Sequence, residues 1–273
     1  MFKKTIVVLL LFFSFTMPAF AQRHQLGLFL GVANYNGELN PAPINYRFIH
    51  PGLGIIYRFD KSKFFSYKAS AYYGWVSGND AQSKDSFQLK RNLSFFSHVL
   101  DVSGEMEFNF FPYQPGTGEV FCTPYIFAGI SIFHFNPTAN LNGHEYELRT
   151  MHTEGQGDTY SKIAGAFRFG GGIKLSVGQV VNIGFEVGVR KTYTDYLDDV
   201  SGNYPDPSKL LARDGLAAVG LSNKSAQSSE SLIGRQRGNP NDNDWYVFSG
   251  FWITFNVFSV GKHACDAFPH FKY

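Results

Sequence analysis

From Val181 onward the chain sets an apolar residue at every second position (Val181, Ile183, Phe185, Val187, Val189) and a small or polar one between (Asn182, Gly184, Glu186, Gly188, Arg190, Thr192). A period of two puts alternate side chains on opposite faces of a β-strand, so this run has one oily face and one wet, charged face. The wet face carries both signs of charge and is thinned by glycine. Its oily counterpart suits lipid better than a protein core, provided that the chain is exported.

The N-terminus supplies that condition. Lys3 and Lys4 precede an apolar stretch over 5–15, followed by Pro18 and the small-x-small triplet Ala19, Phe20, Ala21. This is the pattern of a signal peptide, residues 1–21, cut before Gln22. The apolar block is too short for a retained membrane helix, and no cysteine follows the cut to carry a lipid anchor. Further along there is no run of ~18 apolar residues, so a membrane can be crossed only by strands.

Charged residues make up 17% of the chain, against about 25% in ordinary soluble domains. Phe numbers 29, Tyr 15 and Gly 28, a mixture that suits a lipid-facing barrel with aromatic girdles. The net charge of +2 is small and the basic residues are scattered, which argues against a nucleic-acid partner.

Strand character recurs in eight segments: 25–33, 52–59, 64–76, 99–110, 124–135, 166–177, 181–192 and 245–257. The fifth is apolar on both faces, so the sequence does not orient it. The connections alternate, with 34–51, 77–98, 136–165 and 193–244 long, 60–63 and 178–180 short, and 111–123 intermediate. Long outer loops alternating with tight inner turns are the pattern of bacterial membrane barrels. The expected fold is all-β, an eight-stranded antiparallel transmembrane β-barrel over 22–257. Its long loops are extracellular, its short turns periplasmic, and both termini, including a tail over 258–273, lie in the periplasm. The expected location is the outer membrane, with its lipid as one partner.

On the inward face this reading places Asp101, Glu105, Glu107 and Glu186 against Arg58, Lys68, Arg168, Lys174 and Arg190. The interior of so small a barrel is filled by its own side chains. The charges therefore read as a mutually neutralised plug, with a proton or ion path as the rival. Ser97, His98, Asp101 and Ser103 tempt a hydrolase reading, but Ser97 and His98 face opposite sides of a strand. His144 and His152 share a loop with Glu145, Glu147 and Glu154, at spacings that match no recognised metal-ligand set. The segment NPNDNDW, 239–245, has the oxygen-rich alternation of a calcium loop but lacks its glycine and terminal Glu, so it reads as an Asx-rich turn. Asp206 and Pro207 cap a short helix over 208–213, with Gly215 after it. No enzymatic activity, cofactor, metal or small-molecule substrate is expected.

Five stretches carry a family resemblance: YNGELN (35–40), EFNFFPY (107–113), TPYIFAGISIFHFNP (123–137), NIGFEVGVRKTYTDYLDDVSGNY (182–204) and RGNPNDNDWY (237–246). The chain resembles the PorG outer-membrane β-barrel proteins of the Bacteroidota type IX secretion system. The resemblance implies a non-enzymatic component of protein export, and of gliding motility where the organism glides. It also implies association with a periplasmic ring built by the lipoprotein PorK and the protein PorN. The turn 111–123 and the tail 258–273 are the surfaces that could meet such a ring. Cys122 and Cys265 fall on that same side, and either they bond to each other or at least one bonds a partner, since exported cysteines meet an oxidising space. The alternative function is a small barrel with an adhesion, ligand-binding or lipid-hydrolase role carried by its outer loops.

Overall fold

The computed structural model describes residues 24–40, 46–115 and 121–257. The expected signal peptide, the tail over 258–273 and Cys265 lie outside them. Nine strands are present: β1 His24–Asn36, β2 His50–Asp60, β3 Phe65–Asn79, β4 Ser94–Asn109, β5 Cys122–Leu141, β6 His144–Glu147, β7 Ile163–Val177, β8 Val181–Thr192 and β9 Trp245–Val257. All pairings are antiparallel, in the order β4-β3-β2-β1-β9-β8-β7-β5, and a β4–β5 pairing running from Phe96↔Thr138 to Asn109↔Tyr125 closes the ring. The molecule is thus a closed eight-stranded antiparallel barrel with no open edge among these strands.

The extra strand, β6, corrects the reading of 136–165 as plain loop. It folds back on the end of β5 through Asn142 and Gly143, whose φ values of 54° and 84° belong to a primed hairpin turn. Several other strands also overrun their expected limits at this end of the barrel. The 20 residues of β5 give a strand about 65 Å long, far more than an apolar band of roughly 25 Å requires. Its outward positions record the change of medium: Ile126, Ala128, Ile130 and Ile132 are followed by His134, Asn136, Thr138 and Asn140. The same strand's orientation is now fixed, with Tyr125, Phe127, Ser131, Phe133 and Phe135 buried inside.

Leu30, Ile130 and Phe251 are 67%, 68% and 69% exposed on the outer wall. Apolar side chains arrayed so around a closed sheet are stable only against lipid, since each loses on the order of 25 cal/mol per Å² if left in water. The inner face needs room for large rings. A Cβ on Gly184 would stand 2.4 Å from Cζ2 of Trp252, and one on Gly170 2.7 Å from Cζ of Phe127. Bare backbone on β7 and β8 thus accommodates aromatic side chains projecting from β5 and β9.

At the loop end the described residues of the connections form three α-helices: α1 Ser86–Arg91, α2 Pro207–Ser222 and α3 Ser229–Leu232. Asp206 caps α2 by accepting from the backbone N–H of Ser208 and Lys209, at 2.9 and 3.4 Å. The helix runs past its expected end because Gly215, with φ 84° and ψ −177°, kinks the chain and lets a second helical piece follow. Leu39, Leu93, Leu197, Val200 and Leu221 are all buried here, so the long connections have an apolar core of their own.

Candidate functional site: the charged lumen and its cap

The structure places all nine charged residues of the inward-face reading inside the barrel and brings them together. Nearest the termini, Glu107 accepts two bonds from Arg58, from Nε at 2.8 Å and Nη2 at 3.2 Å, and one from Lys174 at 2.6 Å. In the middle, Lys68 Nζ lies 2.5 Å from Glu105 Oε1 and 2.6 Å from Glu186 Oε2. Arg168 completes a four-membered ring of charges, with Nε 2.8 Å from Glu105 and Nη2 2.9 Å from Glu186. Glu186 also accepts from the hydroxyls of Tyr72 and Tyr125, at 2.8 and 2.9 Å. Toward the loop end Arg190 approaches Asp101 at 3.6 Å and lies over the rings of Tyr72 and Phe248, at 5.0 and 4.8 Å. One acid was missed. Asp60, at the end of β2, is buried and accepts from Gln25 and Ser66, which brings the buried acids level with the bases.

The residues that tempted other chemistry are dispersed. Ser97 is buried while His98 faces outward against Tyr73, and Ser103 accepts from Arg168. Glu145 accepts from Thr138, Glu147 pairs with Lys162 at 2.6 Å, and His152 sits 3.2 Å from Asp214. Among the described residues Cys122 has no disulfide; it is half-buried at the start of β5.

Sequence reasoning did not find the second polar cluster, in the cap. Arg91 of α1 grips Asp80 with Nε at 2.8 Å and Nη2 at 2.9 Å, and donates to the carbonyls of Glu38 and Arg237. Arg237 in turn donates to Glu154 at 2.9 Å and to the carbonyl of Asp199 at 2.5 Å. Asp199 accepts from Tyr160 at 2.8 Å and from Thr153. Two buried arginines thus tie four connections together. Beside them Glu38, Asp198 and Asp244 face the Tyr35 hydroxyl, which is 2.5 Å from Asp198 and 2.8 Å from Asp244, and Asp195 lies next to Glu38 and Asp244. No Lys or Arg among the described residues forms an ion pair with any of these four. Burial, with repulsion from neighbouring carboxylates, pushes Asp195 and Asp198 up to about 7 and Glu38 up to about 9, while burial moves Asp199 to about 6. Asp244 is also held well above the usual carboxylate range. The signal was split in the sequence, since YNGELN, TYTDYLDDVSG and RGNPNDNDWY each supply part of the cluster.

A sealed eight-stranded barrel with an oily wall and a packed, charge-paired lumen defines the class: the outer-membrane type of small β-barrel. Within that class the chain belongs to the family described as "Domain of unknown function (DUF6089)", whose model matches residues 3–213. No curated protein matches the chain. Among solved structures it is similar to the N-terminal β-barrel domain of Pseudomonas aeruginosa OprF, at 12% identity over 86% of this chain and 98% of that one, with a TM-score of 0.37. It is also similar to Neisserial surface protein A, at 8% identity over 86% and 97% with a TM-score of 0.42. Ail, the attachment invasion locus protein of Yersinia pestis, is similar at 8% identity over 85% and 98%, with a TM-score of 0.40.

Proposed function

We propose that this barrel is a non-enzymatic outer-membrane component of the type IX protein secretion machinery, holding a periplasmic ring of PorK- and PorN-like proteins at the membrane. In this reading both termini face the periplasm, the cap faces outward, and the protein works by contact rather than by conduction or chemistry. The observation that carries it is the occluded interior: with ion pairs filling the lumen and a cap over one mouth, only the outer surfaces are left to act. The sequence resemblance supplies the partner. At the terminus end Phe110, Phe111 and Phe121 are 51%, 53% and 69% exposed beside Cys122, an apolar rim suited to a periplasmic protein as well as to the lipid interface.

The test places a photoreactive residue at Phe121 in the native organism, crosslinks, purifies the barrel and identifies what comes with it. Ring proteins are expected in the crosslinked product, together with a secretion defect when the gene is removed. Recovery of no periplasmic protein, with secretion intact in the deletion, sinks this reading. Non-reducing gels of Cys122→Ser and Cys265→Ser cells separate an internal disulfide, which changes only the monomer's mobility, from a bond to a partner.

A further inference from the structure

We propose that Glu38, Asp195 and Asp244 form a calcium site in the cap of the barrel. One ligand atom from each lies within 4.8 Å of the others. A single Ca²⁺, with oxygens at about 2.3–2.6 Å, spans up to roughly 5 Å between opposed ligands.

Two observations beyond the clustering of acids point to a ligand. The first is Asp195. It is only 7% exposed, yet neither of its carboxylate oxygens has a close, well-aligned hydrogen-bond partner among the described residues, the Ser201 hydroxyl being the one side-chain donor whose influence reaches it. Glu38 Oε2 is also unpartnered. Leaving a buried carboxylate without a donor is strongly unfavourable, so such groups are normally paired or bound to a metal. The second is Tyr35. Its one hydroxyl hydrogen faces two carboxylates, at 2.5 and 2.8 Å, and can serve only one of them.

Extra protons could relieve the Tyr35 contact, but they would supply no close donor to the carboxylate oxygens of Asp195. A cation satisfies all three carboxylates at once without any direct oxygen-to-oxygen contact. The remaining oxygens are already held for the purpose. Asp244 accepts from the Leu197 N–H at 3.0 Å, Glu38 from the Asn239 N–H at 3.2 Å, and Asp198 from the Val200 N–H at 2.9 Å. These bonds fix Glu38 and Asp244, with Asp198 beside them, on three separate segments of two connections. An ion there would pin 37–40, 194–202 and 239–244 to one another, as a hard cation pins a calcium loop. An all-carboxylate, largely buried, irregular set suits Ca²⁺ better than Mg²⁺, which demands tight octahedral geometry and retains water. This site does not depend on the secretion role.

The experiment uses the full mature chain, folded in detergent micelles and stripped with a chelator, with Tb³⁺ as the luminescent stand-in for Ca²⁺. Excitation of Tyr35 and Trp245 is expected to sensitise one Tb³⁺ per barrel. Ca²⁺ should displace it at about 10⁻⁴–10⁻³ M, the range of extracellular modules, and Mg²⁺ far less readily. Asp195→Asn should weaken binding by at least about tenfold, the lower limit for losing even an outer partner of a metal. Heat-modifiable gel migration confirms that this variant keeps its barrel, and Glu145→Gln, an acid outside the cluster, should bind as the native chain does. If Asp195→Asn fails to fold, Glu38→Gln replaces it. Absence of saturable Tb³⁺ and Ca²⁺ binding to a heat-modifiable native barrel overturns the proposal, as does unchanged binding in the folded Asp195→Asn or Glu38→Gln variant.

Discussion

At the scale of single residues, Glu186 is the hinge of the lumen, since it meets Lys68, Arg168, Tyr72 and Tyr125 at once. Glu186→Gln would leave Lys68 and Arg168 sharing the charge of Glu105, with Glu107 3.5 Å from Lys68 but already held by Arg58 and Lys174, and removing one partner of a buried pair destabilises by about 3–5 kcal/mol. Denaturant unfolding in micelles, followed by tryptophan fluorescence, should read that loss, while Glu145→Gln on the exposed strand β6 should fall within about 0.5 kcal/mol of the native chain. In the cap the sign of the pH effect is opposite to that of an ordinary ion pair. Glu38, Asp195, Asp198, Asp199 and Asp244 bind protons more tightly folded than in an unfolded chain, where carboxyls titrate near 4. The folded cap therefore holds more protons, and in chelator its stability should fall as pH rises from about 4 through 6 and 7 toward 9. Arg91 and Arg237 oppose the trend near Asp198 and Asp199, while Glu154 and Asp242 reinforce it at Asp195. Proteinase K cleavage of 193–244, timed at pH 5.5 and pH 8.5, checks this, and faster cleavage at the lower pH would contradict the assignment. Glu186 was legible in the sequence because a strand's alternation fixes which way its side chain points. Asp195 was not, because a connection has no period and its surroundings exist only once three distant segments meet.

At the scale of elements, alternation located the wall strands other than β5, which showed strand character without it, and where alternation vanished the orientation vanished with it. On β5 both faces are apolar, Ile126 to Ile132 outward and Tyr125 to Phe135 inward, and only pairing with β4 and β7 decides between them. The overrun of β3, β4 and β5 past the apolar band was hidden for a related reason: outside the membrane a strand has no oily face to announce it. The kink of α2 was half visible, in that Gly215 was seen as a stop but not as a bend between two helical pieces. Glycines on β7 and β8 carry a prediction of their own. Gly184→Ala forces a methyl group to within 2.4 Å of Trp252 and 2.3 Å of the Ile173 carbonyl. Overpacking of that kind costs about 1–3 kcal/mol, measurable in the same unfolding assay. In the cap, Arg237→Met would strand Glu154 and Asp199 without their buried base, so 193–244 should become sensitive to protease while the barrel keeps its heat-modifiable migration. Equal protease resistance of the variant would mean that the other arginine, Arg91, holds the cap alone.

At the scale of the whole molecule, barrel and cap are two structures joined by their strands, stabilised in different ways. The wall is closed by backbone pairing all the way round, and β9 is held along its length by β1 on one side and β8 on the other. None of those pairings passes through 193–244. The cap is held instead by side chains, through Arg91, Arg237 and the carboxylate cluster, over a small apolar core. Regions fixed by few buried contacts open locally at lower free energy than a hydrogen-bonded sheet. A protease cut within 224–231, where Gln227 and Glu230 border exposed backbone, should therefore sever the chain without opening the barrel. Before boiling, the two fragments are expected to migrate together as a folded species; after boiling they should separate, the smaller one carrying β9. The lumen should stay plugged as well, because its ion pairs come from β2, β3, β4, β7 and β8 and none from the cap, so planar bilayers should record no channel from cut or intact protein. Fragments that part without heating would mean that the cap contributes to closing the wall. Conductance gained on cutting would mean that the cap, and not the paired charges below it, seals the barrel.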